Sequence, residues 1–102
     1  MLTFGDALEF AKKGEAIARK GWNGKNLFVF MQVPATIDLK IVPTMQSLPQ
    51  QIKSIFIKRN ELCGLNHIFY SNQMAIVDSK NEINGWSPSV SDTLATDWYV
   101  LI

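Results

Sequence analysis

The spacing of apolar residues near the start of the chain predicts a short amphipathic helix. Its apolar positions recur at i, i+3, i+4 and i+7, the spacing of one helical face: Phe4, Ala7, Leu8 and Ala11. Thr3 and Asp6 form a T-x-x-D start, a carboxylate variant of the capping box. Lysines occupy the last turn, where the helix dipole favours cations, and Gly14 ends the helix.

Runs of β-branched and aromatic residues predict the strands of a sheet. The segments are residues 16–19, 27–33, 66–71, 73–78 and 98–102. Residues 27–33 are apolar on both faces, which is typical of a central strand or of one covered by a second subunit. Pro34 and Pro43 bracket a stretch expected to be irregular or at a sheet edge. Asn84-Gly85 is the strongest turn dipeptide in the chain.

A second helix is predicted from Ser47 and Gln50, which repeat the capping-box spacing, with Pro49 in the first turn. We expect it to end near residues 59–60 and to bury one stripe: Leu48, Ile52, Ile55 and Phe56. A further helical turn is expected to start at residue 91 or 92. These elements predict an α+β fold: a mainly antiparallel β-sheet with an N-terminal helix and a second short helix packed on it.

Length and composition favour one domain, residues 1–102, with a single modest core. The net charge of +1 disfavours long nucleic acid as a partner, although a small anion needs only a few local cations. Cys63 is the only cysteine, so no internal disulfide can form and a reducing compartment is the simplest expectation. With no signal-like or membrane-length apolar segment in the sequence, we expect a soluble intracellular protein.

Catalytic machinery is not evident in the sequence. His67 is the sole histidine and is better explained as a structural or exposed strand residue. Cys63 is better explained as a small buried residue than as a nucleophile. Asp92 is better explained as a helix cap than as half of a carboxylate pair with Asp97. Neither metal-ligand spacing nor a phosphate loop is present, so we predict a protein that is not an enzyme and needs no cofactor or metal.

Binding is better supported, and its first signal is the turn 18–25, Ala-Arg-Lys-Gly-Trp-Asn-Gly-Lys. Glycine lets a backbone turn sharply and approach a ligand, and cations supply charge for phosphate. Trp22 could stack on a base or fill the core, and the sequence leaves these two roles about equal. Arg19 alternates with Ile17 and can project beside the turn, whereas Lys20 is more simply a solvated turn residue.

The second signal is the hydroxyl-rich loop that follows Trp86. Serine and threonine alternate along it at Ser87, Ser89, Ser91 and Thr93. If a helical turn begins after Ser91, its free N–H groups add an anion site; alternatively, Ser91 or Asp92 only caps that turn. Trp86 and Trp98 flank the loop, and at least one of them should lie in the core.

Together, these segments resemble a family of small phage and prophage proteins, the second type of Thoeris anti-defence protein. The resemblance is carried by Phe-Gly-Asp-Ala-Leu at 4–8, by the turn 18–25, and by Trp-Ser-Pro-Ser-Val-Ser-Asp-Thr-Leu-Ala-Thr-Asp-Trp at 86–98. It extends to Met-Gln-Ser-Leu-Pro at 45–49 and so covers most of the chain.

The resemblance implies a molecular sponge in the cytoplasm of the bacterial host. Such proteins bind a cyclic nucleotide immune messenger, typically a glycocyclic ADP-ribose, without cleaving it, and some bind cyclic dinucleotides at a separate site. They assemble as homo-oligomers, commonly tetramers, with pockets between protomers. The motifs carry over as Arg19, Trp22, Asn23, Ser89, Ser91, Asp92 and Thr93, and Phe28 and Trp86 complete the candidate ligand-binding set.

Three other functions remain open. A messenger-degrading enzyme would need partners for His67 and Cys63. A module for single-stranded nucleic acid would use Trp22 and Phe28 as stacking platforms and would bind with a steep salt dependence. A phage structural protein would bind no nucleotide.

Overall fold

The computed structural model describes residues 1–101 and confirms an α+β fold. Its helices are α1 (Phe4–Lys12), α2 (Gln50–Cys63) and α3 (Val90–Leu94). Its strands are β1 (Ile17–Arg19), β2 (Phe28–Met31), β3 (Ala35–Asp38), β4 (His67–Tyr70), β5 (Met74–Val77), β6 (Ile83–Gly85) and β7 (Trp98–Val100). Two short 3-10 turns cover Lys20–Trp22 and Val42–Thr44.

The chain forms two compact units: a smaller one, residues 34–71, and a larger one made of the remainder of the described chain. The prediction of a single domain stays a prediction.

Helix α1 begins and ends where the sequence predicts. The Thr3 hydroxyl accepts a hydrogen bond from the N–H of Asp6 at 3.2 Å, which satisfies one of the free donors at the helix start. Gly14 follows the last turn with a φ of 96°, in the left-handed region that glycine adopts without strain. Ala7 and Ala11 are fully buried, so the small residues on this stripe let the helix lie close to the sheet.

A five-stranded antiparallel sheet forms the larger unit, in the order β6-β5-β2-β1-β7. Strand β2 is central, as its two apolar faces predict. The first and last strands of this unit are neighbours, and Arg19 lies opposite Trp98 in the ladder. This register brings the turn after β1 close to the segment before β7, although the two are far apart in sequence.

The core of this unit lies between α1 and one face of the sheet. Its fully buried members come from the helix and three strands: Ala7, Ala11, Ile17, Val29 and Trp98. Trp98 is the largest of them, and an aromatic cluster of Phe4, Trp22 and Trp86 packs around it. The expectation that at least one of Trp86 and Trp98 is a core residue is confirmed by Trp98.

The smaller unit pairs β3 with β4 in a two-stranded antiparallel sheet. The stretch between Pro34 and Pro43, expected to be irregular or at a sheet edge, therefore contains the regular strand β3. This strand is at an edge, because a two-stranded sheet has no interior strand. Strands β4 and β5 join different sheets and do not pair with each other. Val42 and Ile68 are buried in this unit.

Three expectations for α2 are wrong. Pro49 is the residue before the helix and no side chain caps it, so Ser47 does not form a capping box. The predicted stripe is not buried, because Ile52 and Ile55 are 38% and 41% exposed while Lys53 is only 9% exposed. Tertiary packing turns a different face inward, and the Lys53 ammonium reaches the carbonyl of Pro43 at 3.1 Å. The helix also runs to Cys63, past the predicted end, and Gly64 ends it with a φ of 71°.

Three local predictions are also corrected. Asn84-Gly85 lies within β6, because pairing with β5 overrides its turn preference. Cys63 is exposed rather than buried, since it lies in the last turn of α2. Helix α3 begins at Val90, with Ser89 as its cap, slightly earlier than predicted. Ile102, which the sequence places in the last strand, lies outside the described residues.

The core predicts a contrast between two isoleucines of the larger unit. Ile17→Ala should lower the free energy of unfolding by about 2–5 kcal/mol, since Ile17 is fully buried and its truncation leaves a cavity. Ile83→Ala in β6 should change it by roughly 0.5 kcal/mol or less, because Ile83 is 59% exposed. Urea denaturation measures both, and equal losses would contradict the packing described.

Candidate functional site

The candidate site is built around the Arg19 side chain, which joins the turn after β1 to the segment around α3. Arg19 Nε donates to Asp97 Oδ1 at 2.9 Å, and Nη1 donates to Asp92 Oδ1 at 2.9 Å. Both are ion pairs between side chains that are less than one third exposed. Two carboxylates on one guanidinium fix its position far better than one flexible surface pair would.

Asp97 also holds the backbone of the turn. Its Oδ2 accepts from the N–H of Gly21 at 2.7 Å, and its carbonyl accepts from the N–H of Lys20 at 3.1 Å. A Cβ at position 21 would lie 2.9 Å from Asp97 Oδ2 and 3.2 Å from Arg19 Nη2. Glycine at 21 therefore fits the close approach of these two charged groups, and any larger residue would force one of them to shift.

Asp92 connects Arg19 to α3 and to the core. Its Oδ2 accepts from the Ser89 N–H at 2.9 Å, and its own N–H donates to the Ser89 hydroxyl at 3.0 Å, which completes a capping box. The carbonyl of Asp92 accepts from the Trp98 indole Nε1 at 2.9 Å. Ser89 is therefore the cap of α3, and Asp92, which the sequence offered as the cap, is instead the N3 partner in the capping box. The same carboxylate also pairs with Arg19.

These contacts shift the pKa of each charged group. Burial acts to raise the pKa of Asp92, but hydrogen bonds from Ser89 and Arg19 outweigh it and hold that pKa below its ordinary value. The hydrogen bond from Arg19, with that from the Gly21 N–H, lowers the pKa of Asp97. Hydrogen bonds to Asp97 and Asp92 raise the pKa of Arg19. All three groups are therefore ionised at neutral pH and together carry one net negative charge.

Trp22 lies at the rim of the aromatic core and is half-buried. Its ring meets Trp98 and Trp86 at interplanar angles of 80° and 79°, with centroids 5.3 and 6.5 Å apart. These edge-to-face contacts fix the ring, and part of it remains exposed. Trp22 thus packs on the core, one of the two roles that the sequence left open, and stacking of a ligand on its exposed part stays a prediction.

The other predicted site residues are not all brought together. Asn23 follows Trp22 with a φ of 52° and is exposed, and Trp86 is half-buried against Trp22. Strand alternation places Phe28 on the sheet face opposite Val29 and the aromatic core, away from the face that Trp22 packs on. Ligand contact by any of these residues stays a prediction.

The hydroxyl groups of the α3 segment are partly occupied within the protein. Ser89, Ser91 and Thr93 are exposed, and the Thr93 hydroxyl donates to the Ser89 carbonyl at 3.0 Å. The backbone N–H groups of Asp92 and Thr93 are bonded to Ser89. The capping box therefore uses a donor that the sequence offered to an anion, and ligand contact by the three exposed hydroxyls stays a prediction.

Sequence reasoning missed Asp97 and Gly21 as parts of this site. The signal is the pairing of β1 with β7, which sets Arg19 opposite Trp98 and next to Asp97. An arginine and an aspartate 78 residues apart carry no local pattern that would identify them as partners.

The smaller unit, residues 34–71, contains a groove of about 380 Å³. The groove is lined by Asp38, Leu39, Lys40, Ile57, Asn60 and Asn66. None of the predicted ligand-binding residues lies in this groove.

The remaining candidates for chemistry lie outside the site. His67 is exposed, and its Nδ1 lies 2.6 Å from Asn66 Oδ1. Within residues 1–101 no cluster of histidine, cysteine, aspartate and glutamate could hold a metal ion. None of the helices in that range is long and apolar enough to cross a membrane.

Comparison with known proteins identifies relatives over nearly the whole chain. Residues 2–101 match the family model described as the Thoeris anti-defense 2-like domain. The curated protein Thoeris anti-defense 2 of Bacillus phage SP01 is 31% identical over 100 residues, which cover 98% of this chain and 94% of that protein.

The close approach at Gly21 predicts a steric cost. Gly21→Ala should lower the free energy of unfolding by about 1–3 kcal/mol, because Asp97 and Arg19 must move to admit the methyl group. Gly5→Ala in α1 is the matched control and should be neutral or slightly stabilising, since its Cβ meets only Thr3 Oγ1 at 3.9 Å. Chemical denaturation of both variants checks this, and an unaffected Gly21→Ala variant would refute the contact.

The lowered pKa values of Asp92 and Asp97 predict that acid lowers the stability of the fold. Each carboxylate stabilises the fold above its unfolded pKa of about 4, and this contribution is lost as pH falls through the lower folded pKa. The free energy of unfolding should therefore decline from about pH 5 downward. Asp97→Asn should show a shallower decline. Urea titrations at several pH values measure the slope, and identical slopes would contradict the ion pair.

Proposed function

The chain belongs to the Thoeris anti-defense 2-like family, and from this premise we propose that it binds and sequesters a cyclic nucleotide immune messenger without cleaving it. Family membership supports a role in phage anti-defence. The proposed messenger is of the glycocyclic ADP-ribose type, with cyclic dinucleotides as a second ligand class. Sequestration would keep the messenger from the bacterial effector that it activates.

The observation that carries the proposal is the fixed, partly exposed ring of Trp22 in a turn rich in cations. Stacking of a base on an aromatic ring contributes about 1–3 kcal/mol. Lys20 and Lys25 flank Trp22 in the sequence, and both are exposed, so their ammonium groups can bind the phosphates. Arg19 contributes differently, because two of its nitrogens are already bonded to Asp92 and Asp97. We assign Arg19 to holding the turn in place beneath the ligand.

The charged groups of the site favour binding over hydrolysis. Asp92 and Asp97 have lowered pKa values and accept hydrogen bonds from Arg19, so at neutral pH they have no proton to donate as general acids and are weak as general bases. A sponge needs affinity and geometry. A stacked base at about 1–3 kcal/mol with two or three charge-assisted phosphate bonds at about 1.5–3 kcal/mol each contributes about 4–12 kcal/mol, which approaches nanomolar binding at its upper end.

A homo-oligomer, with a tetramer as the working assembly, is part of the proposal. One small protomer has little surface with which to enclose a ligand of dinucleotide size. Helix α3 also carries Val90 and Leu94, which are 77% and 74% exposed and lie four residues apart on one helical face. A ligand or a neighbouring protomer at this position would remove both from water.

The proposal is tested by mixing the purified protein with a glycocyclic ADP-ribose, removing unbound ligand by filtration and denaturing the complex by heat. Mass spectrometry of the supernatant should recover the messenger intact and in stoichiometric amount. A cleaved product would identify a degrading enzyme. Salt-sensitive binding of generic oligonucleotides would favour the single-strand module, and the absence of any nucleotide binding would favour a structural protein.

Trp22 provides the sharpest mutational prediction. Trp22→Ala should weaken messenger binding roughly 5- to 150-fold, the equivalent of a stacking loss of about 1–3 kcal/mol. Trp22→Phe is the matched control: it keeps an aromatic face against Trp98 and should retain most of the affinity. Calorimetric titration measures both, and thermal unfolding shows whether each is folded. Normal affinity in a folded Trp22→Ala variant would rule out stacking at this residue.

A further inference from the structure

The outer edge of β4 is an unprotected strand edge. Within residues 1–101, β4 pairs with β3 on one side and with no strand on the other. Natural edge strands are usually protected by lysine, proline, a bulge or a covering element. Strand β4 reads His-Ile-Phe-Tyr and has no lysine or proline, and its Phe69 side chain is 73% exposed.

The register of the β3–β4 pair identifies which backbone groups face outward. The N–H of Leu39 donates to the carbonyl of Asn66 at 2.9 Å, so this pair is a hydrogen-bonded pair of the ladder. Hydrogen-bonded and non-hydrogen-bonded pairs alternate in an antiparallel sheet. Ile68 and Tyr70 therefore bond to β3. His67 and Phe69 direct their N–H and C=O groups to the open edge.

We propose that this edge pairs with the same edge of a second copy of the chain, in an antiparallel ladder whose two-fold axis passes at Ile68. In that register His67 of one copy lies opposite Phe69 of the other, and each pair exchanges two hydrogen bonds, four in all. The two outward-facing residues are thus satisfied by their own symmetry mates, with no unpaired group between them. Pairing joins two two-stranded sheets into one of four strands.

Side chains on the exposed face support this register. His67 and Phe69 lie on the same face, with ring centroids 6.4 Å apart. Two-fold pairing places each ring opposite the other type across the ladder, at the spacing where aromatic cross-strand pairs stabilise a sheet. Four rings would then cover one another, which removes Phe69 from water. The other edge of this sheet is less suited to pairing, because β3 follows Pro34 and carries the charge of Asp38 at its end.

The inference rests on the homo-oligomer proposed above and assigns one of its interfaces. Phe69→Lys, which places a charge on the edge, should halve the mass of the assembly in sedimentation velocity. Thr36→Lys is the matched control, since Thr36 is the exposed partner of Phe69 in the β3–β4 register but lies on the other strand. It should leave the mass unchanged. His67→Lys is a second variant with the same expected halving, for use if Phe69→Lys does not fold.

An unchanged mass for folded Phe69→Lys or His67→Lys, or an equal effect of Thr36→Lys, would overturn the proposed interface. A wild-type protein that is monomeric over roughly 5–500 µM would overturn it together with the homo-oligomer. Calorimetric titration of the same wild-type sample with a glycocyclic ADP-ribose separates this result from failure of the messenger proposal, because a monomer that binds the messenger removes only the assembly.

Discussion

The double ion pair of Arg19 with Asp92 and Asp97 is the interaction on which the rest of the candidate site depends. It connects the turn after β1 to the α3 segment and joins both to the aromatic core through the bond from the Trp98 indole to the Asp92 carbonyl. Its geometry favours glycine at 21 and orders the backbone that carries Trp22. The two segments that resemble family motifs are therefore two halves of one structural network.

This network changes how the cations of the turn are understood. A lone arginine beside a tryptophan suggests a direct phosphate contact. Arg19, however, already bonds to two carboxylates, and Arg19, Asp92 and Asp97 together carry one net negative charge. In the proposed complex, the exposed lysines at 20 and 25 are the better partners for an anion. Arginine suits the structural role because its planar fork can bond two carboxylates at once, which a lysine ammonium does with much less directional control.

Local patterns predicted α1, most strands and the α+β class, because capping and side-chain periodicity act over a few residues. They failed where tertiary packing decides, as when α2 turns Lys53 inward and leaves Ile55 exposed. Asn84-Gly85 shows the same limit, since sheet pairing outweighs its turn preference. In the site, Trp22 and Asp92 could be singled out from the sequence, whereas the role of Asp97 depends on a strand pairing that no local pattern encodes.

A crystal structure of the protein with a glycocyclic ADP-ribose bound would show directly whether Trp22 holds the messenger. We expect the adenine ring to stack on Trp22 at about 3.5–4 Å. We also expect Arg19 to remain bonded to both Asp92 and Asp97. A messenger bound away from Trp22, or an Arg19 side chain that has left both carboxylates to bind phosphate, would contradict these expectations.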